Sequence, residues 1–311
     1  MAIAANKSAD LGVTRSGARE KRKPQRGTDG SYPGWFLFPA AIIYASLFAL
    51  PTFASLFFSL TRWTLFDWTF IGLDNFAQFL REPFLIQGLR NTLIYAVVTS
   101  GLKVVLGLPL AVLLTSRIVA RGYLRSVLFF PVLVSTIGVG ITFTTLMHPA
   151  GVINGALALF GISGPGWLTN PKLALLSVAL VDVWKGIGLA TVIYIAGLAT
   201  IPPEYYEASK IDGATSWQNF WHIILPLSRP ATVTVILLSL IGGLRSFDLI
   251  WAMTRGGPGF TSDVMASVIY KQYQAGFYGL STAGNVVLFF LVAAIIVPLF
   301  VFLNRREEEN R

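Results

Sequence analysis

An all-α membrane protein with six spans is the fold class that this sequence predicts. Three observations support the prediction: 54% of the 311 residues are hydrophobic, only 13% are charged, and the apolar residues are gathered into six long runs. Soluble domains carry roughly 25% charged residues. A chain with about half that proportion needs a lipid bilayer as part of its solvent.

Each apolar run is long enough to be a membrane-spanning helix, because a helix needs about 20 residues to cross ~30 Å of hydrocarbon. The first run also exceeds the roughly 7–15 residues of a signal-peptide core, so we expect it to persist as an uncleaved span. The predicted spans are 35–60, 91–116, 126–147, 173–201, 231–254 and 280–303.

The distribution of Lys and Arg predicts that both termini are cytosolic. With the N-terminus inside, the inner connections hold fifteen basic residues and the outer connections hold six. Cytoplasmic connections carry the excess of Lys and Arg in membrane proteins. Because topology accounts for the net charge of +9, no nucleic-acid partner is expected.

The chain divides into three segments by composition. Residues 1–34 form a polar tail with seven Lys and Arg, which we expect to be disordered and cytosolic. Residues 35–304 form the transmembrane domain, and 305–311 form a cytosolic C-terminal tail. In the outer connections we expect a short surface helix over 151–160 and an aromatic belt. Trp63, Trp68 and Trp167 are the belt candidates.

Composition also excludes several kinds of site. The chain has no cysteine, and its two histidines, His148 and His222, lie far apart without an acidic or histidine neighbour at metal-ligand spacing. We therefore expect no metal site and no catalytic residues in this chain. A membrane enzyme is one alternative function for this chain, but the sequence contains no His/Asp/Glu cluster that could supply catalytic groups.

The most informative connection lies between spans four and five, over 202–229. A Pro-Pro pair ends span four, and Glu207 falls in the first turns of a new helix, where an acidic group suits the positive N-terminal dipole. Gly213 can adopt the positive φ that ends this helix. A second amphipathic segment then runs to Pro226. Its apolar residues at helical spacing are Trp217, Phe220, Trp221 and Ile224.

This pattern predicts a helix-turn-helix on the inner membrane surface. From the residues alone, it either ties two spans together or docks a partner. The loop resembles the EAA loop of ABC importer permeases: Glu-Ala-Ala, three residues, Gly, nine residues, then Ile-x-Leu-Pro. The matching positions are Glu207, Ala208, Gly213, Ile223, Leu225 and Pro226, with Ser209 in place of the second Ala. The resemblance implies that these residues couple the permease to its ATPase.

Other stretches resemble carbohydrate permeases of the maltose and glycerol-phosphate type. They are Arg-Ser-Phe-Asp-Leu-Ile-Trp with the Gly-rich sequence after it (245–259), 181–186 and 195–198, and the resemblance covers roughly 35–305. It implies a type I importer permease fold in the bacterial plasma membrane. The solute would be of the sugar class, a di- or oligosaccharide or glycerol phosphate.

The same resemblance implies a set of partners. They are a second permease in a heterodimer, two ATP-binding subunits and an external solute-binding lipoprotein. No G-x-x-x-x-G-K-[ST] sequence occurs, so ATP and Mg belong to the ATPase subunits and no cofactor is expected in this chain.

Charged and small residues inside spans four and five are the candidates for the solute pathway. A charge at a helix centre costs about 2.5–3.5 kcal/mol on insertion scales, so these groups should face protein or water. The resemblance places most of them where related permeases contact sugar. The candidates are Asp182, Trp184, Lys185, Gly186, Ser239, Gly243, Arg245 and Ser246.

A structural role is the alternative for the charged candidates. Asp182 with Lys185, and Arg245 with Asp248, are spaced as i,i+3 ion pairs. Lys103 in span two stands alone, and we assign it no role beyond snorkelling.

The small residues have an alternative too, as a small-xxx-small helix contact. Asp182 and Trp184 lie about 160° apart on a regular helix, so both face one cavity only if the helix kinks at Gly186 and Gly188. Without a kink, Asp182 and Gly186 share a face at i,i+4.

An ion-coupled secondary transporter, with Asp182 as the ion or proton site, is the alternative function. It would work without an ATPase partner, and the loop at 202–229 argues against it.

Overall fold

The computed structural model describes residues 34–64, 66–116 and 118–308, with side chains described as far as 303. The predicted N-terminal tail therefore lies outside the described residues, apart from Gly34, as do residues 309–311. The last helix continues through Glu308, four residues beyond the predicted end of the membrane domain.

The residues before position 51 form a unit of their own. Gly34–Leu37 is a 3-10 turn, α1 is Phe38–Tyr44, and Ala45–Ala49 is a π-helical turn. The π turn ends just before Leu50, whose N–H bonds to Ala45 O. This wider turn precedes Pro51, which cannot donate a hydrogen bond and whose ring would clash in a regular turn.

The second unit begins at Pro51 and contains the rest of the described chain. After α2 (Leu50–Phe58), its helices follow one another with short connections. They are α3 (Asp74–Arg81), α4 (Pro83–Thr115), α5 (Arg121–Leu133), α6 (Thr136–Leu146), α7 (Val152–Leu159), α8 (Ala174–Leu198), α9 (Pro203–Ile211), α10 (Ser216–Asn219), α11 (Leu225–Leu227), α12 (Arg229–Leu244), α13 (Asp248–Met253), α14 (Met265–Gln274) and α15 (Tyr278–Glu308).

Six spans agree with the structure when bent helices are counted as one. Four helical stretches are long and apolar enough to cross a bilayer: Trp35–Phe58, Pro83–Thr115, Ala174–Leu198 and Tyr278–Leu303. Two bent pairs supply the others among the described residues. The predicted short helix over 151–160 is present as α7.

The third predicted span is not one straight helix. Between α5 and α6 the chain bends by 99°, because Val134 and Ser135 have extended backbones. Pro131 lies near the end of α5 and cannot donate to the helical ladder, which favours termination there.

The fifth predicted span is also interrupted. Its helix α12 ends at Leu244, and α13 begins only at Asp248, so 245–247 form a break inside the predicted 231–254 span. At the other end of α12 the chain bends by 68° between Ser216–Leu227 and α12.

A small antiparallel hairpin is the exception to the all-helical expectation in the described chain. Its strands are β1 (Thr61–Trp63) and β2 (Trp68–Phe70), with Trp63 opposite Trp68. The amide of Asn75 at the start of α3 donates to Ser59 O and Thr61 O, both at 2.8 Å. Trp63 also stacks on Phe58 at 4.2 Å.

Helix α4 is the central element of the bundle. It packs along α8 and α12, and its buried residues enter three apolar clusters. The cluster around Tyr95 also contains Val178 and Ile250, and the cluster around Leu108 also contains Tyr194. The third cluster, with Leu85 and Met265, joins α4 to α14 and α15.

Candidate functional site

The loop at 202–229 is the helix-turn-helix that its sequence predicts. Gly213 has φ +73°, and its N–H donates to Lys210 O at 3.1 Å. The N–H of Ala214 donates to Ser209 O at 2.9 Å. These two bonds form a Schellman cap that satisfies carbonyls at the end of α9.

The second half of the loop is capped as firmly as the first half. Thr215 and Gln218 form a reciprocal capping box, with Thr215 N–H donating to Gln218 Oε1 at 2.8 Å. After α10, a π-helical turn over Phe220–Ile224 leads into Pro226. The loop is therefore a defined element with little backbone freedom.

The EAA-like residues divide between the loop's two surfaces. Glu207, Ala208 and Pro226 are exposed, whereas Ser209 is buried and its hydroxyl donates to Tyr206 O at 3.0 Å. A small side chain at 209 permits this inward position. Partial burial raises the pKa of the neighbouring Tyr206 phenol.

The aromatic side of the loop lies against the inner half of α4. Trp217, Phe220, Trp221 and Leu225 line an apolar cavity of about 660 Å³ together with residues of α4 such as Leu108. Ile223 instead lines a cavity of about 290 Å³ on the polar side, beside Gly213 and His222.

Asp182 pairs with Lys103 and not with Lys185. The Lys103 Nζ lies 3.0 Å from Asp182 Oδ2, with side-chain exposures of 10% and 24%. The assignment of no role to Lys103 was therefore wrong. Spacing along one helix could not reveal this partner, because the pair bridges α4 and α8, 79 residues apart.

Arg245 and Asp248 do not form the suggested ion pair either. Among the residues described, neither takes part in a salt bridge, and both are exposed. The reason is the break at 245–247: Arg245 follows the last residue of α12 and Asp248 begins α13, so the two are not one turn apart on a continuous helix.

The glycine candidates lie at helix contacts. A Cβ at Gly186 would lie 2.7 Å from Lys103 Cε, and one at Gly243 would lie 2.7 Å from Ala96 Cα. Both glycines thus allow close approach of α4, and Asp182 and Gly186 do share the face that meets Lys103. A Cβ at Gly188 would collide with Leu128 O of α5.

Helix α8 is continuous from Ala174 to Leu198, without the kink that would turn Trp184 toward Asp182. Trp184 instead contacts Phe143 of α6 at 5.1 Å and is 44% exposed. Ser239 and Ser246 are half-buried on α12 and in the break after it. The buried hydroxyl of Tyr95 lies near Asp182 and Ser246 and has no hydrogen-bond partner in the described chain.

The sequence did not reveal a second ion pair, in the connection between α13 and α15 that is predicted to lie outside. Lys271 Nζ lies 2.6 Å from Asp263 Oδ2, and Asp263 is fully buried. Asn91 of α4 donates to Thr261 O and to Asp263 O at 2.9 and 2.7 Å. The Gly-rich stretch before Asp263 was the available signal, since Gly256 adopts φ +85° directly against this carboxylate.

No group of three His, Cys, Asp or Glu side chains able to hold a metal was found among the described residues. Trp167, a belt candidate, donates its indole N–H to Asn154 Oδ1 at 2.7 Å.

The bundle, with its broken spans and a capped helix-turn-helix between the fourth and fifth spans, defines a membrane transport permease. The family described as "Binding-protein-dependent transport system inner membrane component" matches residues 89–306. The chain belongs to this family, as a permease subunit rather than an enzyme. Membership favours the ATP-driven interpretation over the ion-coupled alternative.

Relatives support the assignment across most of the chain. The trehalose/maltose transport system permease protein MalF of Thermococcus litoralis is 32% identical, with 87% of this chain and 93% of that protein covered. The arabinooligosaccharides transport system permease protein AraP of Bacillus subtilis is 31% identical, with 85% and 86% covered.

Solved structures show the same fold. A chain from the crystal structure of a bacterial ABC transporter that imports the acidic polysaccharide alginate superposes with a TM-score of 0.74 at 24% identity. The match covers 88% of this chain and 96% of that chain. The type I importer permease fold is therefore the fold of this protein.

Proposed function

We propose that this chain forms half of the translocation pathway of an ATP-driven importer for a sugar-class solute, in a heterodimer with a second permease. Two ATP-binding subunits, which hold the ATP and Mg, drive it from the cytosolic side. An external solute-binding lipoprotein delivers the solute. The names of the two relatives above, both for sugar transport systems, support the solute class.

The geometry of the loop at 202–229 is the observation that carries the coupling role. Its outward surface includes Glu207, Ala208 and Ile211, the last 87% exposed. Its inward surface includes Ile224, which belongs to the same apolar cluster as Leu108 and Tyr194. A capped element between an exposed surface and the spans can transmit displacement from an ATPase to the bundle.

The pathway side of the proposal rests on the break in span five. Arg245 lies there beside Ser246 and has no salt bridge among the described residues, and Asp182 keeps partial exposure in its pair with Lys103. Trp184, Lys185 and Ser239 complete the candidate surface, while Gly186 and Gly243 let α4 approach it.

Charge reversal on the loop tests the coupling role. Glu207→Lys should reduce the ATPase subunits that co-purify with the permease and lower substrate-stimulated ATP hydrolysis severalfold, because the exposed carboxylate is lost. The matched control is Asp74→Lys, an equal charge change at an exposed site in an outer connection. Wild-type assembly and stimulation in Glu207→Lys would rule out this contact.

A further inference from the structure

Asn285 is an isolated amide on an otherwise apolar stretch of α15. It is exposed, and its side chain has no hydrogen-bond partner among the described residues. An unpaired amide in hydrocarbon is costly, so it requires a polar partner that the chain itself does not supply. Water, a solute or another subunit can provide that partner.

An aromatic cavity of about 280 Å³ lies on one side of Asn285. Phe247, Tyr270, Tyr273 and Ser281 line it with Asn285. The ring of Tyr270 lies 5.2 Å from Phe247 and 6.4 Å from Tyr273 between centroids. Neither tyrosine hydroxyl has a hydrogen-bond partner within the described part of the chain.

Asn285 also lines a second cavity, of about 450 Å³. Arg245, Ile241 and Phe289 are among its lining residues, and Asn285 lines both cavities. The aromatic cavity is bounded by α14, in the connection for which the charge distribution predicts an outer location. Asn285 therefore joins the aromatic cavity, which Phe247 of the break also lines, to the cavity that Arg245 lines.

The chemistry of the aromatic cavity suits one uncharged sugar ring. Flat aromatic faces pack against the C–H side of a sugar, and an amide with two phenol groups offers both donors and acceptors to hydroxyls. Its lining contains no Lys, Arg, Asp or Glu, so it lacks a partner for a phosphate or carboxylate. Its volume of about 280 Å³ is just below the roughly 300–1,000 Å³ of small-molecule sites, which fits a single ring.

We propose that Tyr270, Tyr273, Phe247 and Asn285 form an outer subsite that receives one uncharged sugar ring before it reaches the cavity lined by Arg245. This inference rests on the proposed transport function and deepens it, because it selects neutral sugars over glycerol phosphate. Tyr270 packs against the sugar ring. Asn285 lines both cavities, so it can bind the sugar's hydroxyls as the sugar moves from the aromatic cavity to the cavity lined by Arg245.

Uptake by the complete transporter in proteoliposomes tests the subsite. The probes are labelled maltose, labelled trehalose, a panel of neutral mono- to trisaccharides, and glycerol 3-phosphate as the charged comparison. Tyr270→Leu should lower sugar uptake about tenfold, the scale of one lost ring contact, with basal ATP hydrolysis and subunit assembly unchanged. Tyr270→Phe should lose less than Tyr270→Leu, about twofold to threefold, because it keeps the ring and removes only the hydroxyl.

Asn285→Leu should lower uptake as Tyr270→Leu does, and Asn285→Gln should restore much of it. The matched control is Tyr123→Leu, which removes a 70% exposed tyrosine at the start of α5, outside both cavities. It should transport like wild type.

Three results would overturn the subsite. Wild-type uptake in Tyr270→Leu would show that the aromatic ring does not contact the sugar. Equal losses in Tyr270→Phe and Tyr270→Leu would show that only the hydroxyl contributes. Loss of the second permease from purified Asn285→Leu complexes would make the amide a subunit contact. If wild type takes up no neutral sugar of the panel, the sugar class in the proposed function fails, whatever the variants do.

Discussion

At the scale of residues, the Lys103–Asp182 pair shows how a buried charge selects its partner. Lys185 is three residues from Asp182, but Lys103 on α4 reaches the carboxylate at 3.0 Å because Gly186 leaves room for its side chain. Gly186, which the sequence analysis placed among the candidates for the solute pathway, thus permits an ion pair between two helices.

Removing one partner of this pair should destabilise the permease. Asp182→Asn leaves the Lys103 ammonium largely buried without its counter-charge, which should cost on the order of 2 kcal/mol of unfolding free energy, below the roughly 3–5 of fully buried pairs. The melting temperature of the detergent-solubilised complex measures this. Lys103→Met combined with Asp182→Asn should recover most of the loss.

Arg245→Gln is the control for that experiment. This variant should leave the melting temperature unchanged, because Arg245 has no salt bridge among the described residues. A stable Asp182→Asn protein would contradict the structural importance of the pair. If the double variant melts like wild type but does not transport, Asp182 also acts on the solute.

At the scale of elements, both halves of the loop at 202–229 have local caps in addition to their apolar contacts with the bundle. The bonds of the Schellman cap at Gly213 and of the capping box of Thr215 join groups no more than five residues apart. Such local patterns are visible in a sequence, and this explains why the loop was predicted well.

The effect of each substitution at Gly213 should depend only on how readily the new residue adopts a positive φ. A Cβ there would meet nothing within 4 Å, while φ is +73°. Gly213→Asn should therefore couple like wild type, and Gly213→Ala should lose about 1 kcal/mol of loop stability. Gly213→Pro should abolish ATPase stimulation with the permease still inserted, because proline fixes φ near −65° and removes the N–H bonded to Lys210.

Co-purification of the ATPase subunits and substrate-stimulated ATP hydrolysis measure this series. If Gly213→Asn lowers ATPase co-purification and stimulation as much as Gly213→Pro does, the absence of a side chain matters at this turn, and not the backbone conformation.

At the scale of the whole molecule, the predicted orientation can be tested with single cysteines, since the chain has none of its own. Cysteine at Arg121 or Asp212 should resist an impermeant thiol reagent in intact cells, and cysteine at Asp74 or Gln274 should react. All four positions are exposed, so burial does not confound the result. Ser262 would be a poor probe, because it is fully buried in the outer connection.

Permeabilised cells provide the control, in which all four cysteines should label. Strong labelling of Asp212→Cys from outside intact cells would reverse the orientation and remove the loop from the ATPase side.

The sequence by itself determined the membrane class, the six apolar runs and the helix-turn-helix at 202–229. These features depend on composition, run length and contacts within one turn of helix, all of which are local. Only the tertiary structure decided the partner of Asp182, the break at 245–247, the buried Asp263–Lys271 pair and the aromatic cavity beside Asn285. Each depends on which helices lie side by side, and residues separated by many positions meet only after the chain has folded.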